Sequence, residues 1–141
     1  MKKGIYVLLI KLPSAVIVQT RRKVFQMDAG YYAYVGSAMN GLEARIKRHL
    51  STFKHKHWHV DYLLEYGTVI GVVSAAAEKR HECEVARGLP DLTPVPGFGC
   101  SDCCCRSHLY RGASQGALLA SVKLACVQAG LPEQAIIYKL V

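Results

Sequence analysis

Nine residues near the start of the chain, GIYVLLIKL at 4–12, constrain the fold most. The run is apolar, but Lys11 and Pro13 end it well short of the roughly 20 apolar residues that a membrane-spanning helix needs. Lys2 and Lys3 before it mimic the opening of an export signal, yet the run stops too early and reads as a strand. The cytoplasm is therefore the expected compartment, and no membrane partner is expected.

Further strands follow. Residues 15–20 (AVIVQT) are rich in β-branched side chains, and 31–37 (YYAYVGS) place Tyr32, Tyr34 and Gly36 on one face. RRKVFQMDAG between them reads as a polar, basic connection, so three antiparallel strands with short links are the economical arrangement. Asn40 reads as a helix cap with Glu43 three positions on, and Leu42, Ile46 and Leu50 form an apolar stripe. Residues 52–57 form a basic loop, and HWHVDYLLEYG a short helical or irregular segment. TVIGVVSA at 68–75 is a strand and 76–89 a second helix. Three prolines and two glycines make 90–101 a loop. Residues 115–129 are a helix stopped by Gly130 and Pro132, and QAIIYKLV is a last strand. The expected class is α+β, with a small antiparallel or mixed central sheet flanked by helices and a C-terminal helix and strand added. A length of 141 residues fits one domain over 1–141, with its core about 4–109 and an extension about 110–141.

Charge adds a direction. The first sixty residues carry eleven Lys/Arg against Asp28 and Glu43, whereas 61–141 carry seven against eight acids. Positive charge concentrated in one part of the chain suits a polyanion, because Lys/Arg contacts to phosphate supply most sequence-independent affinity. A solvated basic surface is the plainer reading.

Four of the six cysteines fall at 100–105, in the pattern Cys100-x-x-Cys103-Cys104-Cys105-x-x-His108. Zinc sites use such residues. Structural zinc usually takes two separated ligand pairs, however, and one short segment rarely wraps a tetrahedral ion alone. A second metal site at Cys100, Cys103, Cys105 and His108, a redox thiol, a metal shared with His57 or His59, and simple packing all stay open.

The ordered set GIYVLLIKL, YYAYVGSA and GLEARIKRHL resembles the GIY-YIG superfamily of endonucleases. HWHVDYLL (57–64), ECEVA (82–86) and FGCSDCCCRSHL (98–109) resemble most closely a mostly archaeal branch of it, also found fused to endonuclease III-type repair enzymes. The resemblance implies divalent-metal-dependent hydrolysis of phosphodiester bonds in DNA, with Mg²⁺ or Mn²⁺ as cofactor and a repair enzyme as a partner. It makes Glu82 the metal ligand, Tyr6 the general base and Tyr34 the tyrosine of the second motif. It makes Arg45 the phosphate-steadying arginine and His49 its neighbour one turn on. Gly36 would let backbone approach the phosphate, and Lys47, Arg48, Lys54 and Lys56 would bind nucleic acid. Read from the residues alone, Tyr6 and Tyr34 are equally strand tyrosines, Glu82 a solvated helix carboxylate, and Arg45 and His49 part of a basic helix face. Trp58 and Tyr62 read as core or as stacking platforms. The sequence departs from the family at Ser37, where some relatives carry a lysine. Two other functions therefore stand beside nuclease: a nucleic-acid-binding module without turnover, and a Cys/His metal-binding protein.

Overall fold

The structure, a computed structural model, describes residues 2–52, 55–100, 103 and 105–141. Its strands are β1 (Gly4–Leu12), β2 (Val16–Gln19), β3 (Val24–Met27), β4 (Gly30–Ala38), β5 (Thr68–Ala76), β6 (Thr93–Pro94), β7 (Leu109–Gly112) and β8 (Ile137–Leu140). Its helices are α1 (Leu42–Leu50), α2 (His59–Leu63), α3 (Arg80–Arg87) and α4 (Gln115–Gln128), with a 3₁₀ turn at Glu133–Ala135. The fold is α+β, as expected. Six strands form an antiparallel sheet in the order β6-β7-β4-β1-β5-β8, and β2 and β3 pair as a separate small sheet. Among the described residues no helix is long and apolar enough to cross a membrane.

The period of two along β1 divides the interior. Ile5, Val7 and Leu9 face one layer, where Val85, Ala86 and Leu89 at α3 and Leu118, Val122 and Cys126 of α4 pack against them. Tyr6, Leu8, Ile10 and Leu12 face the other, covered by Leu42 of α1, Val60 and Leu63 of α2, and Val18, Phe25 and Met27 of the small sheet. Phe98 and Leu109 close that layer.

Four expectations need correction. The segment 15–20 does not join β1 in the central sheet, and the basic connection after it holds a strand: β2 and β3 pair with each other. β4 and β5 flank β1 along its length and leave it no free edge for β2. The helix expected over 76–89 spans only Arg80–Arg87, because β5 continues through Ala76. Asn40 does not cap α1 either. Gly41 takes that position with φ 148, a conformation open to glycine, and no side chain caps the helix. Helix α4 is as expected: the Ser114 hydroxyl accepts from the Ala117 amide (3.1 Å), and Gly130 follows at positive φ.

Candidate functional site

The site starts from strand register. Tyr6 of β1 lies opposite Gly36 of β4, and Leu8 opposite Tyr34, so both motif tyrosines stand on the same face. The Tyr6 ring covers Gly36: a Cβ there would lie 2.5 Å from the phenol oxygen and from Cζ. Glycine is thus required by the ring above it. Gly36→Ala is expected to push Tyr6 from its place and to destabilise the fold by about 1–3 kcal/mol, the usual cost of overpacking. A denaturant melt equal to wild type would contradict that close approach. Tyr32 stands apart from the site, donating its hydroxyl proton to the Asp28 carbonyl.

Behind Tyr6 runs a buried polar chain. The Tyr6 hydroxyl is 2.7 Å from His49 Nε2. His49 Nδ1 is 3.9 Å from Asp61 Oδ1, and both side chains are fully buried. Arg48 donates two hydrogen bonds to the Asp61 carboxylate, at 3.0 and 2.9 Å. The amides of His57 and Trp58 donate to Asp61 Oδ2 as well. Burial would raise the Asp61 pKa, but these donors outweigh it and hold the carboxyl below its ordinary value.

In front of Tyr6 lies a cavity of about 290 Å³ lined by Tyr6, Tyr34, Arg45, Trp58, Lys79 and Glu82, among others. Arg45 donates to the Ser37 carbonyl (3.2 Å), and its guanidinium stacks 4.3 Å from the Trp58 ring centre. Arg48 sits over the same ring at 4.5 Å, so Trp58 serves as a platform for two cations. Burial pushes the Tyr6 hydroxyl up to about 12 despite the lowering pull of Arg45, and burial likewise raises Tyr34 well above its ordinary value. Both phenols are therefore neutral near pH 7.

Glu82 comes from the first turn of α3 and reaches the cavity floor. Ser37 donates its hydroxyl proton to Oε1, and His108 Nδ1 lies 2.7 Å from Oε2. Lys79 Nζ is 3.9 Å away. Burial would raise the Glu82 carboxyl, but the hydrogen bonds from His108 and Ser37 prevail and keep it below its usual range. The same pairing outweighs burial at His108 and raises its pKa.

His108 also faces a second group. The ligand atoms of Cys83, Cys103, Cys105 and His108 all lie within 4.8 Å of one another, a set able to hold a metal ion. The sequence pattern had placed Cys100 in this set. The structure puts Cys83 there instead, because α3 delivers it from the opposite side, while the Cys100 thiol points at the Arg106 carbonyl (3.6 Å). Neither His57 nor His59 belongs to the set. His59 Nδ1 accepts from the Gly99 amide (2.9 Å) and its ring packs on Phe25 and Phe98, while His57 abuts Trp58. Cys104 lies outside the described residues.

The basic residues expected to hold nucleic acid are scattered. Arg48 is engaged by Asp61 and by the His55 carbonyl, and Lys56 pairs with Glu65 and leans over Tyr62. Lys47 lines a separate groove with Lys139 and Leu140. Lys54 lies outside the described residues. Arg45 and Lys79 are the cations that line the cavity among the described residues. Lys79, Asp61 and Cys83 are the parts sequence reasoning missed. Asp61 carried a signal, an acid inside the apolar HWHVDYLL run, and Cys83 carried one in its place directly after Glu82. Lys79 carried none.

An α+β sheet protein with a polar cavity over two strand tyrosines, and a thiol–imidazole cluster beneath it, is the class that fold and site define. The chain belongs to the family described as Domain of unknown function DUF123, whose model matches residues 5–131. No curated protein and no solved structure matches it.

Proposed function

We propose that this chain is a divalent-metal-dependent endonuclease of the GIY-YIG type acting on DNA. One observation carries the reading: Tyr6 from β1, Tyr34 from β4, Arg45 from α1 and Glu82 from α3 line the same cavity. Four separate elements converge on the residue types that phosphodiester hydrolysis requires.

The donor set fits a hard cation. Glu82 offers a carboxylate oxygen and Ser37 a hydroxyl beside it, hard oxygen donors of the kind with which Mg²⁺ or Mn²⁺ keeps most of its waters. Such an ion would be held by Glu82, with the Ser37 hydroxyl turned from Oε1 towards it, and would supply charge neutralisation at the phosphate oxygens. Arg45 binds a nonbridging phosphate oxygen; its fork is held ready by Ser37 and by the Trp58 face. Tyr6 orients the attacking water and accepts its proton while passing its own to His49 Nε2, 2.7 Å away. Asp61 stabilises the positive charge that then forms on His49. Tyr34, buried on the same face as Tyr6, forms part of the cavity wall.

Incubating the protein with branched and plasmid DNA, each with Mg²⁺ or Mn²⁺, tests the proposal. Cleavage of any substrate supports it, and intact DNA across the panel removes it. A second reading, a nucleic-acid-binding module without turnover, is favoured by one feature: both Glu82 oxygens are already engaged. Salt-dependent DNA binding without Glu82-dependent cleavage would select that reading.

A further inference from the structure

We infer that Cys83, Cys103, Cys105 and His108 form a structural zinc site, and that this zinc positions Glu82 through the His108 ring. Three thiol sulfurs and one imidazole nitrogen are the donors zinc prefers in closed, four-coordinate sites. His108 Nε2 lies 3.4 Å from Cys103 Sγ and 3.9 Å from Cys83 Sγ. Ordinary zinc bond lengths at tetrahedral angles place nitrogen and sulfur about 3.6 Å apart. These two separations bracket that value without any movement of the backbone.

The arrangement also meets the objection that one short segment cannot wrap an ion. Cys103, Cys105 and His108 approach from the segment leading into β7, and Cys83 from α3. The ion would tie α3 to the segment before β7. Binding releases one proton from each of the three thiols to solvent, leaving a zinc–trithiolate–imidazole centre with a net charge of −1.

The link to Glu82 lies in the two ring nitrogens. With Nε2 on zinc, His108 Nδ1 must carry the proton, and that nitrogen faces both Glu82 Oε2, 2.7 Å away, and the Val35 carbonyl, 3.2 Å away. A carboxylate backing a metal-bound histidine is a common support for such a ligand. Glu82 and Cys83 are adjacent on α3, so one turn of helix offers a carboxylate to the cavity and a thiolate to the ion. The zinc is thus fastened directly behind the carboxylate on which the proposed cleavage depends. Zinc content is measured without nucleic acid, so its result stands apart from that of the cleavage panel.

Elemental analysis of untagged protein, purified without chelators from zinc-supplied cells, should give one zinc per chain. Cys83→Ser and His108→Ala should lose it, and Cys100→Ser should keep it. The intact protein loaded with Co²⁺ should show intense thiolate-to-cobalt absorption and the visible bands of a tetrahedral site; this reading needs no variant to fold. Nitrogen NMR of the zinc-loaded protein should find His108 protonated at Nδ1. Glu82→Ala should weaken zinc binding by roughly 10- to 100-fold in a chelator competition, the usual effect of removing a carboxylate behind a ligand histidine. Wild-type protein that takes up neither zinc nor cobalt overturns the site. Cys83→Ser holding a full equivalent, or Cys100→Ser losing it, overturns the ligand set. Unchanged zinc affinity in Glu82→Ala overturns the link.

Discussion

Asp61→Ala is expected to destabilise the fold by about 1–3 kcal/mol, the cost of leaving its hydrogen-bond donors without their acceptor. The Asp61 side chain is 0% exposed and accepts from Arg48 twice and from the amides of His57 and Trp58. Alanine would leave those two amides without their acceptor and free Arg48 from its hold on the segment before α2. Arg48 keeps 28% of its side chain exposed and can turn to water, so the loss falls mainly on the two amides and on the docking of 57–61. The site behind Tyr6 would lose the carboxylate facing His49 as well. The pH dependence has a definite sign. The folded Asp61 pKa is depressed, so its contribution is fully present above the unfolded value near 3.8 and is lost as pH falls through the folded value. Wild type should therefore lose stability relative to Asp61→Ala only below about pH 4. Denaturant melts at pH 7 and pH 3 check both statements; a variant as stable as wild type at pH 7 would show that the buried pair carries no net weight.

Tyr6→Phe is expected to lower DNA cleavage by roughly 10²- to 10⁴-fold, the contribution of a positioned proton acceptor, while leaving the sheet folded. Its ring would still cover Gly36 and fill the same layer. Only the hydroxyl bonded to His49 is lost, at a cost of about 1 kcal/mol in stability. The size of the catalytic effect follows from the chemistry of the phenol. With a pKa of about 12, free phenolate is scarce at neutral pH. Only about one molecule in 10⁵ would carry it at pH 7. In the proposed mechanism Tyr6 would serve as a base only while its own proton moves to His49, so His49→Ala should lower the rate almost as far as Tyr6→Phe. Single-turnover rates for both variants on a substrate the wild type cleaves would measure this. Wild-type rates in Tyr6→Phe would remove Tyr6 from the chemistry.

The sequence exposed some of this arrangement and hid the rest for physical reasons. Alternation along β4 announced that Tyr32, Tyr34 and Gly36 share a face, because strand periodicity survives whatever the partner strand is. The apolar spacing of α1 likewise marked the helix, although Leu50 of that stripe stands 43% exposed and His49, read as part of a basic face, is buried instead. Strand partners were not legible. Nothing in AVIVQT says that it pairs with VFQM and leaves the edges of β1 to β4 and to β5, the latter more than 50 residues along the chain from β1. β7 is only four residues long and shows no alternation strong enough to mark it. The thiol cluster was half legible. Cys103, Cys105 and His108 stand out by spacing, but spacing favours the neighbouring Cys100 over a cysteine on a distant helix. Only the packing of α3 against β4 brings Cys83 to the ring of His108. Asp61 was hidden because an acid in a mixed segment reads as solvated until its donors are seen.

The central claim is that the cavity over Tyr6 and Glu82 cleaves DNA. Its most direct test compares wild type with Glu82→Ala on the same branched and plasmid substrates with Mg²⁺ and with Mn²⁺, with matched zinc content in the two proteins. The account predicts nicking by the wild type on at least one substrate and none by Glu82→Ala. Intact DNA with the wild type on every substrate, or equal cleavage by the two proteins, would contradict it.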